Sequence, residues 1–486
     1  MPPSPFKIPE NFAPRLAVIG GGISGLAAAH HCKELAPHAS LSLLEASDRL
    51  GGVLGTTARD GFLIERSADM FTTREPWALE LCQRLGIAED LLPTNDALRR
   101  AFVLHRGELL PVPEGFTLMS PTKIGAILQT PLLSWRGKLR LASEYLRRPK
   151  RDNADESLES FVVRRFGREA FERLIQPLVG GIYTADPAKL SLLATMPQFL
   201  RMEREHGSVI RGTLRQNRAA KNKETASGAR YGQFVAPRGG MQMLVDALAA
   251  SLPEDCVRLR APVERLAPQM DGSWLVQVSG QPTEAYDGVV LAVKSPLAAR
   301  LLMATSPALA SDLAHIEYAG AALVILGVRK AHIARPIDGF GFVVPAIEQR
   351  RILAASFASN KFPGRAPEDG ALLRVFVGGA LQPELLQHSD DELRTLVCEE
   401  LADLIGLAGA PMFCEVVRWP DAMPQYHVGH LQIVAAIDQR ASHLPNFALA
   451  GHAYRGVGIP FCVRSGEQAA RHVLEQLAAR VADTVG

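Results

Sequence analysis

A chain of 486 residues is long enough for two or three domains with substantial cores. Its 53 lysines and arginines against 51 acidic residues leave a net charge of +2, which excludes a global field directed at nucleic acid. With 47% hydrophobic and 21% charged residues, it reads as a globular protein on the apolar side of average. The segment before Arg15 lacks a charged start followed by an apolar core, so a disordered arm is expected there and not a signal peptide. The six cysteines, Cys32, Cys82, Cys256, Cys398, Cys414 and Cys462, show no CxxC or Cys/His cluster. That pattern argues against a metal site or disulfide framework and fits a reducing compartment. No stretch reaches the ~18 apolar residues of a membrane span. The run AALVILGV at 321–328 is expected to be a buried strand.

Residues 15–29, RLAVIGGGISGLAAA, run from an apolar strand through Gly20-x-Gly22-x-x-Gly25 into an Ala/Leu helix. Such glycines allow a tight turn, close approach to a pyrophosphate and close helix packing, and the helix start offers unpaired N–H groups to phosphate. Glu45 lies 20 residues after Gly25 at the end of LSLLE, where a carboxylate reaches an adenosine ribose. From Glu45 and Ala46 through Arg49 to Gly51-Gly52 the chain reads ExxxRxGG. This resembles the FAD-binding segment of the amine oxidase, carotenoid desaturase and protoporphyrinogen oxidase superfamily.

Further along, residues 76–87 predict a helix from Pro76 to Gly86 with Leu79, Cys82 and Leu85 on one face. Residues 98–117 suit a β-hairpin, and 121–205 turn helical. There Trp135, Leu139, Ala142 and Leu146 form an apolar stripe flanked by Arg136, Arg140 and Arg147, with seven basic residues against Glu144 between 135 and 151. This suits a helix lying on an anionic membrane surface, or equally one packed on its own domain with a solvated basic face. Residues 211–230 are polar and basic and read as a mobile loop or domain junction. A Gly-Gly turn and a helix carrying Met241, Leu244 and Leu248 follow, then strands that return to the nucleotide domain. Residues 316–440 carry apolar strands and a helix near 391–406, and the C-terminal part reads strand, glycine turn, helix.

Residues 156–191, ending in PLVGGIYTADPAKLS, resemble the protoporphyrinogen oxidase family. Segments 337–349, 372–379, 418–430 and 450–462 resemble its bacterial, oxygen-dependent branch. The expected fold class is α/β: a Rossmann-like FAD-binding domain assembled from separated segments (1–95, 231–295, 441–486). An α+β substrate domain (96–120, 296–440) and a helical, membrane-associating domain (121–215) complete it.

The resemblance implies an FAD enzyme that dehydrogenates protoporphyrinogen IX to protoporphyrin IX in haem biosynthesis, with oxygen as acceptor and peroxide as product. Coproporphyrinogen III is the alternative substrate; an FAD amine oxidase and a non-catalytic porphyrin-binding flavoprotein are more distant readings. The implied cofactor-binding residues are Gly20, Gly22, Ile23, Ser24, Gly25, Glu45, Ala46, Arg49, Gly51, Gly52, Val263, Gly451, Val457, Gly458 and Ile459. Phe376 and Val343 fall where relatives sandwich a macrocycle ring, and Gly181 where backbone lies beside substrate and flavin. Plant members bind a propionate near Ala101, which leaves Arg100 or Arg99 as candidates, or as a solvated pair. Ser356 stands where plant relatives carry leucine. Asp69 occupies a position of varied polar residues and is the one weak candidate for a catalytic group, though not as a base. No metal is expected. Besides porphyrinogen and oxygen, the candidate partners are the next haem-pathway enzyme, an anionic membrane surface and a second copy of the chain. The expected location is the cytoplasm or the inner face of its membrane.

Overall fold

Five short strands form a wholly parallel sheet in the order Val257–Arg258, Ser40–Leu44, Arg15–Ile19, Gly288–Leu291, Phe447–Leu449. The computed structural model describes residues 13–117, 119–121, 123–150, 152, 154–221 and 233–485; the expected N-terminal arm falls largely outside them. Parallel strands are buried on both faces, which is why these runs are continuously apolar. Leu16, Val18, Leu43 and Val290 pack with helices Ile23–Leu35, Met241–Ala250 and Ile459–Val485. Ala17, Ile19, Val289 and Leu291 face a small antiparallel sheet, Val263–Pro268, Trp274–Val278 and Glu284–Tyr286, and helices Ser295–Leu302 and Pro307–Ala314. The sheet therefore draws on widely separated stretches, as expected.

A second sheet has seven strands in the order Phe413–Pro424, Tyr318–Arg329, Gly370–Gly378, Ala354–Phe357, Gly341–Val343, Phe102–His105, Glu108–Pro111. The expected hairpin supplies the last two, and the 321–328 run lies within the buried strand Tyr318–Arg329. One face is covered by helix Asp390–Ile405 through Leu393, Leu396, Val397 and Leu401. A Ser389–Glu392 capping box starts this helix and Gly406 in the left-handed region ends it. The other face meets the helical region at one end and the hairpin Thr56–Arg59/Phe62–Glu65 at the other.

Three expectations need correction. Residues 211–221 belong to helix Val209–Lys221, not to a loop, and 222–230 lie outside the described residues. Val209, Ile210 and Thr213 are buried, and the carboxylate of buried Glu144 accepts from Ser208 Oγ (2.5 Å), Val209 N (2.9 Å) and Ile210 N (3.2 Å). It caps the helix while Nε of the equally buried Arg165 donates to it at 2.8 Å. Second, the helix near 76–87 spans only Trp77–Arg84 and buries Ala78, Leu81 and Cys82 instead of Leu79, because its face is set by packing on the helix Ile459–Val485. Third, the stripe sits on helix Trp135–Ala142 and a tighter turn Ser143–Leu146, but Arg140 does not flank it. Arg140 turns inward and donates to the carbonyls of Val163 (3.0 Å), Arg164 (2.8 Å) and Arg165 (2.8 Å), the free C-terminal end of helix Leu158–Arg165. Trp135, Leu139 and Leu146 remain 70%, 70% and 79% exposed.

Candidate functional site

Because the five strands of the first sheet are parallel, the loops at their carboxyl ends share one edge, the usual ligand crevice of such sheets. At that edge Gly20 turns with φ +105° and its N–H donates to Leu44 O at 2.8 Å. A Cβ on Gly25 would lie 1.8 Å from Gly20 O, so only glycine lets helix Ile23–Leu35 start this close to the strand. A Cβ on Gly22 would meet nothing nearer than Gly52 Cα at 4.0 Å, so the turn presents bare backbone. Gly51 N donates to Gly21 O at 2.8 Å and clasps the second glycine pair against the first turn. Arg49 braces that pair: Nη1 donates to Leu50 O (2.9 Å) and Leu54 O (2.8 Å), Nη2 to Gly52 O (2.5 Å). Glu45 accepts from Gly21 N (2.6 Å) and Ser47 N (2.8 Å), with Ala46 exposed beside it. Ala261 N reaches Glu45 O at 2.8 Å, which brings Val263, the first residue of its strand, near the same edge.

The C-terminal part completes the edge. Gly451 N donates to Ser465 Oγ at 3.0 Å, and Val457 and Gly458 lead into Ile459, the first residue of a 27-residue helix. That helix crosses the start of the first one two turns into its own length, where a Cβ on Gly466 would lie 2.1 Å from Ser24 O. Bare glycine backbone, two helix N-termini and a carboxylate fit an FAD diphosphate and ribose.

Sequence reasoning missed what holds the 452–456 loop. The Tyr426 hydroxyl accepts from Gly456 N (2.7 Å) and donates to His452 O (2.5 Å). His430 stacks on Tyr426 at 3.9 Å and its Nε2 bonds Tyr454 O at 3.0 Å; His452 Nε2 bonds Ala422 O at 3.0 Å. Burial pushes both histidines below their ordinary pKa, so each is a neutral imidazole with its proton on Nε2 facing a carbonyl. Tyr426 and His430 lie in the segment PQYHVGH and His452 in AGHAYRG, but no periodicity marks them as braces.

Val343 and Phe376 are brought together by strand register. Val103, Val343, Ala354, Phe376, Leu323 and Val417 stand opposite one another across the second sheet and so share one face. Val343 and Phe376 are two strand spacings apart, about 10 Å. Between them lies only the methyl of Ala354, 8% exposed, so the row has a slot with a small floor. Gly181, on helix Gln176–Tyr183, stands over one wall: its missing Cβ would be 3.9 Å from Val343 Cγ1. Beyond Phe376 the buried atoms Ser67 Oγ, Ser356 Oγ and Arg374 Nε have no hydrogen-bond partner among the described residues, as polar atoms that meet water or ligand do.

Asp69, Arg100 and Arg99 are each held in ion pairs. Asp69 is buried, which would raise its pKa, but Lys361 Nζ at 3.0 Å and Arg374 Nη1 at 2.8 Å hold its carboxyl well below the usual range. A carboxylate held that low neutralises cations and does not take up a proton. Arg374 in turn rests 5.8 Å from the Phe376 ring centre. Arg100 is half-exposed and already paired with Asp338 at 3.3 Å, and Arg99 with Asp96, so each cation is matched by an acid of its own. Among the described residues no group of three His, Cys, Asp or Glu side chains is placed to hold a metal ion.

Comparison with known proteins agrees with this architecture. The flavin containing amine oxidoreductase family matches residues 23–474. Coproporphyrinogen III oxidase of Bacillus subtilis (strain 168) is 34% identical over 95% of this chain and 98% of its own. Protoporphyrinogen oxidase 2, chloroplastic/mitochondrial, of Arabidopsis thaliana is 31% identical over 95% and 94%. A crystal structure from Exiguobacterium sp. 255-15, provisionally named a protoporphyrinogen oxidase, superposes with a TM-score of 0.84 at 30% identity, covering 96% of this chain and 99% of that one. The chain thus belongs to the flavin containing amine oxidoreductases, in the protoporphyrinogen oxidase branch that its motifs resemble, and is an FAD-dependent oxidoreductase.

Proposed function

We propose that the protein dehydrogenates a porphyrinogen to the porphyrin, with coproporphyrinogen III as substrate and oxygen as final acceptor, releasing peroxide. The observation that carries this reading is the slot Val343–Ala354–Phe376 beneath Gly181, walled by apolar side chains, with the neighbouring cation Arg374 paired to Asp69. Bound FAD would supply a two-electron acceptor, held by the glycine turns and braced by Arg49 and Tyr426. The chain's own part is to align a methylene bridge of the macrocycle and exclude water, since the pyrroles themselves stabilise the developing cation. Full aromatisation takes three two-electron steps, so the ring must present successive carbons. Apolar walls allow that turning.

The family resemblance implies protoporphyrinogen IX first, with coproporphyrinogen III as the close alternative. The name of the Bacillus relative supports coproporphyrinogen III instead. Initial rates with the two porphyrinogens side by side decide: a preference of tenfold or more for coproporphyrinogen III is expected, the reverse preference restores protoporphyrinogen IX, and oxidation of neither ends the proposal.

The reading extends to a membrane surface. Among the described residues no helix is long and apolar enough to cross a bilayer. Trp135, Leu139, Tyr145 and Leu146 are exposed beside exposed Arg136, Arg147 and Arg148, the pattern of an interfacial helix on anionic lipid. Cosedimentation with phosphatidylglycerol vesicles that survives Leu139→Asp unchanged would contradict it.

A further inference from the structure

Four of the six cysteines are buried, whereas Cys398 and Cys414 are partly exposed. They are 16 positions apart in the sequence, on two different elements that the fold packs together. Cys398 lies on helix Asp390–Ile405, and Cys414 is the second residue of Phe413–Pro424, the edge strand of the seven-stranded sheet. Their thiols are within hydrogen-bonding reach of each other. One turn before Cys398, Arg394 donates from Nε to Cys414 O at 3.1 Å, so a guanidinium sits beside the pair. The hydrogen bond from Cys414 pushes the Cys398 thiol down to about 7, and the same contact, with burial, pushes Cys414 up. Two neighbouring thiols beside a guanidinium are the arrangement in which one sulfur attacks and the other resolves.

We infer that Cys398 and Cys414 are a modification site, a dithiol that a peroxide converts to a disulfide. The Cys398 thiolate attacks one peroxide oxygen, the O–O bond breaks, and with one proton the products are a sulfenic acid and water. The Cys414 thiol then attacks the Cys398 sulfur, the S–O bond breaks, and a second water leaves with the thiol proton. Two thiols lose two protons and two electrons while one peroxide becomes two waters. The new bond ties the helix that covers the sheet to the sheet's edge strand.

The site rests on the thiols alone and is tested with added hydrogen peroxide, so it stands or falls apart from the porphyrinogen reading. The holoenzyme is treated with peroxide, alkylated and mapped by mass spectrometry. The expected product is lighter by two hydrogens, takes up two fewer alkyl groups, yields a cross-linked peptide pair holding Cys398 and Cys414, and reverts with dithiothreitol. In Cys414→Ser, Cys398 is expected to stop at the sulfenic acid and form a dimedone adduct. Full alkylation of both thiols after peroxide, oxidation confined to the other four cysteines, or no dimedone adduct in a folded Cys414→Ser protein would each overturn the inference.

Discussion

At the cofactor edge the contacts come from backbone: the turns at Gly20–Gly25 and Gly51–Gly52 meet through main-chain groups, and side chains such as Arg49 and Tyr426 only brace them. In the slot the contacts come from side chains on three different strands, aligned only by the register of Gly341–Val343, Ala354–Phe357 and Gly370–Gly378. The two regions fail differently as a result. An added Cβ is destructive at the first, and a change of side-chain volume is decisive at the second. They meet at a seam, where Asp69 from the first half of the chain pairs with Lys361 and Arg374 from the second.

The seam carries the largest expected effect. Asp69→Ala leaves two buried cations unpaired and should cost about 3–5 kcal/mol, read as a lower urea midpoint; an unchanged midpoint would show that the halves do not depend on it. Gly25→Val drives a Cβ into Gly20 O and should weaken FAD binding about 100-fold, from a clash of about 3 kcal/mol, so the purified protein comes out colourless. Ala354→Leu fills the slot floor and should lower kcat/KM for the porphyrinogen by about 10-fold or more while the flavin spectrum stays as in the parent. If it bleaches or shifts the flavin spectrum instead, the two regions are not separable.

Tyr426→Phe removes both loop hydrogen bonds and should weaken FAD binding by about 1–2 kcal/mol with KM for substrate unchanged. The smallest effect is one of pH. His430 and His452 are depressed below the ordinary 6.5 in the folded protein. The unfolded chain therefore takes up these protons first on acidification, so their stabilisation is complete above 6.5 and is lost as pH falls below it. FAD retention should decline across that window, and His430→Gln, which keeps an N–H donor, should flatten the decline.

The comparison also explains what could be read from the chain. The cofactor edge was legible because each part, from Gly20 to Gly52, is set by spacing within one short stretch and by backbone needs that only glycine meets. The strand at 321–328 was legible from its apolar run, and the helix Asp390–Ile405 was expected near 391–406. The floor residue Ala354 was not, since an alanine has meaning there only once Val343 and Phe376 are its cross-strand neighbours. Glu144 looked like a lone acid in a basic stretch because its partners Arg165 and Val209 are remote in sequence. For the same reason residues 211–221 read as a loop: the helix is held by a buried carboxylate more than sixty positions upstream, at Ser208 and Val209. Cys398 and Cys414 showed no spacing because a helix and a strand, not a loop motif, bring them together.

The central claim is that a porphyrinogen delivers its electrons to FAD held at the parallel-sheet edge. Its most direct test is to add coproporphyrinogen III to the FAD-loaded protein in the absence of oxygen and follow the visible spectrum. The account predicts that the flavin absorbance bleaches as porphyrin absorbance grows, with three flavins reduced for each porphyrin formed. A flavin that stays oxidised with coproporphyrinogen III and with protoporphyrinogen IX alike would contradict it.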